Sequence, residues 1–331
     1  MQHIGLFLAA VVAGLALLTW SADRFVNGAS GLAQRLGVSA MIIGLTVVAF
    51  GTSAPEMLVS ALAAWQGNSG IAIGNAIGSN IANIALVLGV AALVTPLNVQ
   101  SQTLNREFPL MVVVMVAAFV LLWDGSMSRL DGLILMTGMV VLVLWTVHQA
   151  RSAPSDDPLQ SDFTAELSET IGTGAIGWLL LSGLIVLLLS SQMLVWGAVG
   201  LAEAFGVSDL VIGLTIVAVG TSLPELAATV AAARKGQHHM AVGGVVGSNL
   251  FNVLAVLGIA GLFGPGSFDS AVLSRDFPFM IGLAIALYLL ARGLRTEGSG
   301  HINRIEGALL LTFFIGYQLL IFVTTAPTVS A

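Results

Sequence analysis

Two stretches decide how this chain is read: Gly44-Leu-Thr-Val-Val-Ala-Phe-Gly-Thr-Ser-Ala-Pro-Glu56 and Gly213-Leu-Thr-Ile-Val-Ala-Val-Gly-Thr-Ser-Leu-Pro-Glu225. A shift of 169 in numbering overlays them, with agreement at 10 of 13 positions. The same shift overlays Gly74–Gly89 on Gly243–Gly258, including Gly-Ser-Asn at 78–80 and 247–249. It reaches back to Gly37, Val38 and Ser39 against Gly206, Val207 and Ser208. It reaches forward to Arg106, Phe108 and Pro109 against Arg275, Phe277 and Pro278. Beyond about residue 124 the register slips, and Arg129-Leu-Asp-Gly132 matches Arg304-Ile-Glu-Gly307 at a shift of 175. The sequence is an internal duplication.

What surrounds the repeats is apolar. Of 331 residues 57% are hydrophobic and only 8% charged, with a mean hydropathy of +0.98. A soluble domain carries about 25% charged residues, so a water-facing globule, a nucleic-acid binder and a disordered chain are excluded. With no Cys, disulfides and thiolate metal sites are excluded as well. At roughly 20 apolar residues per crossing, ten spans are expected, near 4–22, 40–65, 70–95, 107–123, 131–149, 173–195, 209–233, 240–263, 277–294 and 305–325. The first run has no basic stretch before it and reads as a helix rather than a signal peptide. Arg106-Glu107 and Arg275-Asp276, just before Pro109 and Pro278, read as helix starts. The expected fold is an all-α membrane protein. Five helices in residues 1–150 are joined by an acidic linker, 151–171, to five more in 172–331.

Lys and Arg orient the spans. With the N-terminus outside, Arg24, Arg35, Arg106, Arg151, Arg234, Lys235, Arg292, Arg295 and Arg304 fall inside, and only Arg129 and Arg275 outside. Both termini are then expected outside and the linker in the cytoplasm, as for a protein of a prokaryotic plasma membrane. An odd number of spans per half makes the copies insert in opposite directions. Inverted repeats are a mark of secondary transporters, whose site lies at the repeat interface near the midplane.

The repeated stretch holds a carboxylate in an apolar run. An acid at a helix centre costs about 2.5–3.5 kcal/mol on insertion scales, and Glu56 and Glu225 incur that cost at matched positions. A cation or a proton offsets it. Before each acid stand two hydroxyls and a proline, Thr52-Ser53-Ala54-Pro55 and Thr221-Ser222-Leu223-Pro224. A mid-helix Pro removes an N–H and displaces a carbonyl, which is expected to free carbonyls near Ala49 and Ala218 and those of Thr52 and Thr221. In the second motif Ser79 and Asn83, four apart, share one helical face, as do Ser248 and Asn252. All are hard oxygen donors. Ca²⁺ takes 6–8 oxygens, often from bidentate carboxylates, and two glutamates balance one Ca²⁺; the same oxygens suit several Na⁺. Mutually exclusive occupancy is the physical basis of exchange.

At these residues the chain resembles the calcium/cation antiporter superfamily, in its prokaryotic sodium/calcium exchanger branch, whose G-T-S-x-P-E and G-S-N-x-x-[N/D] motifs both occur twice here. The resemblance implies ten helices in two inverted five-helix repeats with Pro-interrupted core helices, the first and sixth sliding over the core. It implies a central Ca²⁺ site of Glu56, Glu225 and the carbonyls of Thr52 and Thr221. Flanking Na⁺ sites would use Ser53, Ser79, Ser222, Ser248 and the carbonyls of Ala49 and Ala218, with Asn83 and Asn252 completing the set. Asn at 252 implies that K⁺ is not co-transported, and Thr-Ser-x-Pro-Glu favours Na⁺ over H⁺. No cofactor, no nucleic acid and no protein partner is implied; the partners are the ions and the bilayer. Two other readings stay open, a Ca²⁺/H⁺ exchanger using the same glutamates and a cation channel. An enzyme is not expected, since no Ser/His or metal-His arrangement accompanies the acids.

Overall fold

The computed structural model describes residues 2–99, 103–152, 173–205, 218–292 and 300–325. Helix α1 (Gln2–Leu36) runs well past its apolar stretch. It stops at Gly37, whose φ of +63° a side chain would resist. There follow α2 (Ala40–Thr52), α3 (Ala54–Trp65), α4 (Ser69–Val94), strand β1 (Leu97–Val99), α5 (Thr103–Leu121), β2 (Ser126–Met127) and α6 (Arg129–Ser152). The second half holds α7 (Thr173–Ala204), α8 (Ala218–Thr221), α9 (Leu223–Arg234), α10 (His238–Phe263), β3 (Gly266–Ser267), α11 (Val272–Arg292), β4 (Gly300–Ile302) and α12 (Arg304–Thr325).

Eight of the described helices are long and apolar enough to cross a membrane, and the bent pair α2–α3 makes a ninth crossing. The expected span 209–233 is described only from Ala218. Most of the acidic linker, from residue 153 to 171, lies outside the described residues.

The core helices are interrupted at the prolines as expected, but the break falls just before each proline. Pro55 and Pro224 do not sit in the middle of a kinked helix. The first helix ends at Thr52, Ser53 turns with φ −83° and ψ 2°, and a new helix starts with Pro55 in its first turn, bent 45° from α2. Ser222 repeats this with φ −91° and ψ 6°. A first-turn proline loses no helical hydrogen bond, since its N–H would have had no partner there.

Alpha-helical geometry alone does not describe the core. Single π-helical turns interrupt α4 at Asn83–Val87 and α10 at Asn252–Val256, and they open α5 at Thr103–Glu107 and α11 at Val272–Asp276. Within each pair the turns are related by the repeat shift, so the duplication extends to backbone defects. Helix α2 carries a further π turn at Gly44–Val48.

Packing repeats the same symmetry. Antiparallel α1 and α7 touch through glycines that sequence reading does not pair. Gly14 lies against Leu194 and Gly183 against Phe25; Gly28 lies against Leu180 and Gly197 against Val11. The repeat shift carries every partner in one contact onto its equivalent in the other. A Cβ on Gly28 would stand 2.5 Å from the Leu180 backbone nitrogen, so only glycine permits this approach. Likewise Gly89 meets Gly307 and Leu311 of α12, while Gly258 meets Gly132 and Met136 of α6. Two antiparallel ribbons finish the pattern: β1 pairs with β4 and β2 with β3. Each ribbon joins loops from opposite halves that an alternating thread leaves on one face of the membrane. Helices α4 and α10 are the interior, with 72% and 89% of their apolar windows buried against 22–39% for the other long helices.

Candidate functional site

The breaks in the two Pro-containing helices and the π turns of α4 and α10 converge in this interior. Thr52, Ser53, Glu56, Ser79, Asn83, Ser222, Glu225, Ser248 and Asn252 are all at most 4% exposed; Thr221 is half-buried. Ala49 is buried, and the Ala218 backbone opens α8 at the matching position.

Side chains of opposite halves meet directly. The Ser53 hydroxyl donates to Glu225 Oε1 at 3.3 Å, and the Thr52 and Ser248 hydroxyl oxygens lie 3.5 Å apart. Thr52 also faces the Glu225 carboxylate. The Glu56 and Glu225 carboxylates lie near enough for their charges to act on each other. Ionised, they place two negative charges in a low-dielectric interior, which is tolerable only with a cation or proton beside them.

Polar groups gather here without protein partners. Glu56 Oε2, Glu225 Oε2, Ser222 Oγ and both amide atoms of Asn83 and Asn252 are buried with no hydrogen bond. A buried polar group left unsatisfied costs about 1–3 kcal/mol, and native proteins keep few of them. Their concentration at one place, mostly as oxygens, matches the donor set of a hard cation. The π turns serve the same end, since Asn83 and Asn252 each begin one, and such turns cluster at functional sites.

One carbonyl departs from expectation. Ala49 O accepts the Ser53 N–H at 3.0 Å and lies 3.5 Å from the Thr52 hydroxyl, so it is not freed by the break. In the second half the Ser222 N–H turns instead to Val219 O at 3.1 Å. The halves are therefore symmetric in backbone path but not in hydrogen bonding. A cavity of about 280 Å³ reaches the site beside α7, lined by Pro55, Ser191, Gln192, Thr221 and Pro224 among others.

Residues 6–147 and 175–323 match the sodium/calcium exchanger protein family, across both halves. The chain belongs to that family. Among its relatives, CaxA of Alkalimonas amylolytica is 51% identical over 94% of this chain and 97% of its own length. The sodium/calcium exchanger MaX1 of Methanosarcina acetivorans is 34% identical over 93% of this chain and 96% of its own. The solved sodium-calcium exchanger NCX_Mj, soaked with Na⁺ and Ca²⁺, superposes with a TM-score of 0.79 at 32% identity, covering 97% of this chain and 98% of that one. This exchanger-family chain is thus an integral membrane transporter, not an enzyme.

Two further buried acids escape a reading of the sequence. Glu107 and Asp276, matched by the repeat shift, pass there for ordinary helix-start residues beside Arg106 and Arg275, yet they are only 5% and 9% exposed. The signal is present in the repeat, as each pair precedes a matched Phe-Pro. Asn75 escapes too: its amide donates to the Glu56 carbonyl at 3.2 Å and to Ser60 Oγ at 3.0 Å, tying α4 to α3 just below the acid.

Proposed function

We propose that this chain is a secondary active antiporter that exchanges Ca²⁺ for Na⁺ by alternating access at a site shared by the two halves. The observation that carries the reading is the meeting of Glu56 and Glu225 across the repeats, with Ser53 of one half bonded to the acid of the other. Glu56, Glu225 and the carbonyls of Thr52 and Thr221 hold Ca²⁺. Ser53, Ser79, Ser222 and Ser248 serve Na⁺ with the Ala218 carbonyl and the second lone pair of the Ala49 carbonyl, whose first accepts the Ser53 N–H, and Asn83 and Asn252 supply amide oxygens. Loss of one Ca²⁺ leaves a −2 site that Na⁺ ions refill, so one ion's departure favours the other's arrival.

The domain reading follows: two five-helix repeats, 1–150 and 172–331, joined by a cytoplasmic linker, 151–171, with both termini outside a prokaryotic plasma membrane. NCX_Mj, an exchanger in which extracellular ion exchange has been studied, supports Ca²⁺ and Na⁺ as the ions. A proton-coupled version is the second reading, favoured by the Ca²⁺/H⁺ antiporter ChaA of Bacillus subtilis, 28% identical over 82% of this chain.

Flux in proteoliposomes separates them. Ca²⁺ uptake driven by an outward Na⁺ gradient at symmetric pH is expected. Uptake driven by a pH gradient alone, with no response to Na⁺, overturns the Na⁺ reading; uptake with no counter-ion requirement overturns antiport itself.

A further inference from the structure

The two halves treat their second buried acid differently. In α11, Asp276 is neutralised: Arg275 Nε donates to its Oδ1 at 2.6 Å and Arg275 Nη2 to its Oδ2 at 3.2 Å, and the Tyr317 hydroxyl donates to Oδ1 at 3.1 Å. In α5 the equivalent pair is parted. Arg106 Nε stands 3.9 Å from Glu107 Oε1, too far for a hydrogen bond. The Arg106 guanidinium lies instead over the Trp145 ring, 4.2 Å from its centroid. Glu107 Oε2 and Arg106 Nε are both buried without a hydrogen-bond partner. The duplication supplies its own reference: the same two positions are hydrogen-bonded in one copy and not in the other.

Glu107 lines a cavity of about 20 Å³ between α2, α5, α6 and α10, room for a single water. Its other oxygen-bearing walls are Thr46 and Thr146. Both hydroxyl protons are already given to carbonyls of their own helices, Thr46 to Ile42 at 2.6 Å and Thr146 to Leu142 at 2.8 Å. These threonines therefore offer lone pairs and no donor. With those protons so placed, an ionised carboxylate faces only lone pairs, whereas a neutral carboxyl brings a proton that a threonine oxygen can accept. The remaining walls are Leu, Val, Trp and Phe side chains, so Glu107 is the only ionisable group among the described lining residues, and the charge beside it is that of Arg106, outside the cavity wall. Four oxygens fall short of the 6–8 that Ca²⁺ takes.

We propose that Glu107 is a proton-binding site separate from the Glu56–Glu225 pair, at the end of α5 nearest the membrane face that carries the β1–β4 ribbon. With the proton on, Glu107 is neutral and Arg106 rests on Trp145. Loss of the proton creates a buried carboxylate that draws Arg106 across, giving the arrangement that Arg275 and Asp276 already hold. The switch sits at the N-terminus of α5 against Thr46 of α2, the helix that ends at Thr52, and so couples pH on that face to the exchange site.

The intact protein in liposomes tests this without transport, through the tryptophan emission difference between the wild type and Trp145→Phe. As pH rises from about 5 to about 9, across the range in which carboxyl groups titrate in proteins, the Trp145 component is expected to shift. The shift is expected to vanish in Glu107→Gln and, independently, in Arg106→Gln, which leaves the acid in place. Should Glu107→Gln fail to fold, the Arg106→Gln arm decides alone. A shift retained in either folded variant overturns the proposal. So does an absent shift in the wild type, or one set by Na⁺ concentration at fixed pH, which would make the cavity a cation site.

Discussion

Glu56 and Glu225 are close in burial but not in bonding: Glu225 Oε1 receives the Ser53 hydroxyl, while Ser222, the equivalent of Ser53, keeps its Oγ unbonded. On the proposed function the two acids balance a divalent charge, which neutral amides cannot do. Glu56→Gln or Glu225→Gln is expected to reduce Na⁺-driven Ca²⁺ flux to background with an unchanged size-exclusion profile; clear residual flux in both variants contradicts a shared site. Asn252 lies in the same interior with both amide atoms unbonded. Asn252→Asp adds a third negative charge, and it is expected to alter competition among cations or the pH dependence of uptake. An identical ion profile removes Asn252 from the site. The two glutamates are legible in sequence because a carboxylate within an apolar run has no ordinary explanation. Glu107 is not, because an acid next to Arg106 and two residues before Pro109 looks like an interfacial helix start. Only the fold carries it into the interior.

Elements are legible where hydropathy marks them and illegible where backbone geometry departs from the α-helix. The apolar runs announce the crossings, and Ser-x-Pro announces the breaks in the Pro-containing helices. Nothing in composition announces a π turn: Asn83–Val87 and Asn252–Val256 are apolar but for their first residue. The α1–α7 seam is hidden differently, since its glycines are scattered along long apolar helices and acquire meaning only when Gly14, Gly28, Gly183 and Gly197 are seen against their partners. That seam makes a prediction. Gly28→Val forces side-chain atoms against the Leu180 backbone and is expected to destabilise the protein by about 1–3 kcal/mol, read as a lower thermal midpoint in detergent. Gly282→Ala provides the contrast, because nothing lies within 4 Å of that position. Relief of glycine's helix penalty is expected to raise stability there by up to about 1 kcal/mol. Equal effects from the two substitutions would remove the seam as a close-packed contact.

At the scale of the molecule, each half supplies what the other lacks. Every ribbon has one strand from each half, α4 packs on α12 and α10 on α6, and the Glu225 carboxylate takes its hydrogen bond from Ser53. Fragments 1–152 and 173–331 are accordingly expected to be inactive alone and to regain Na⁺-driven Ca²⁺ uptake when co-expressed; activity in either single fragment refutes the interdependence. The strand pairing also constrains history. A half-length ancestor of this shape could complete its sheets only by joining a copy of itself lying upside down in the bilayer. Such a chain had to insert both ways in comparable numbers, which requires basic residues evenly divided between the loops of its two faces. On the orientation proposed above, Arg24, Arg35 and Arg106 of residues 1–150 fall inside and only Arg129 outside, and a half so biased would have been left without a mate. A single chain that joins both halves removes the need for such an even division, because each half then takes one fixed direction.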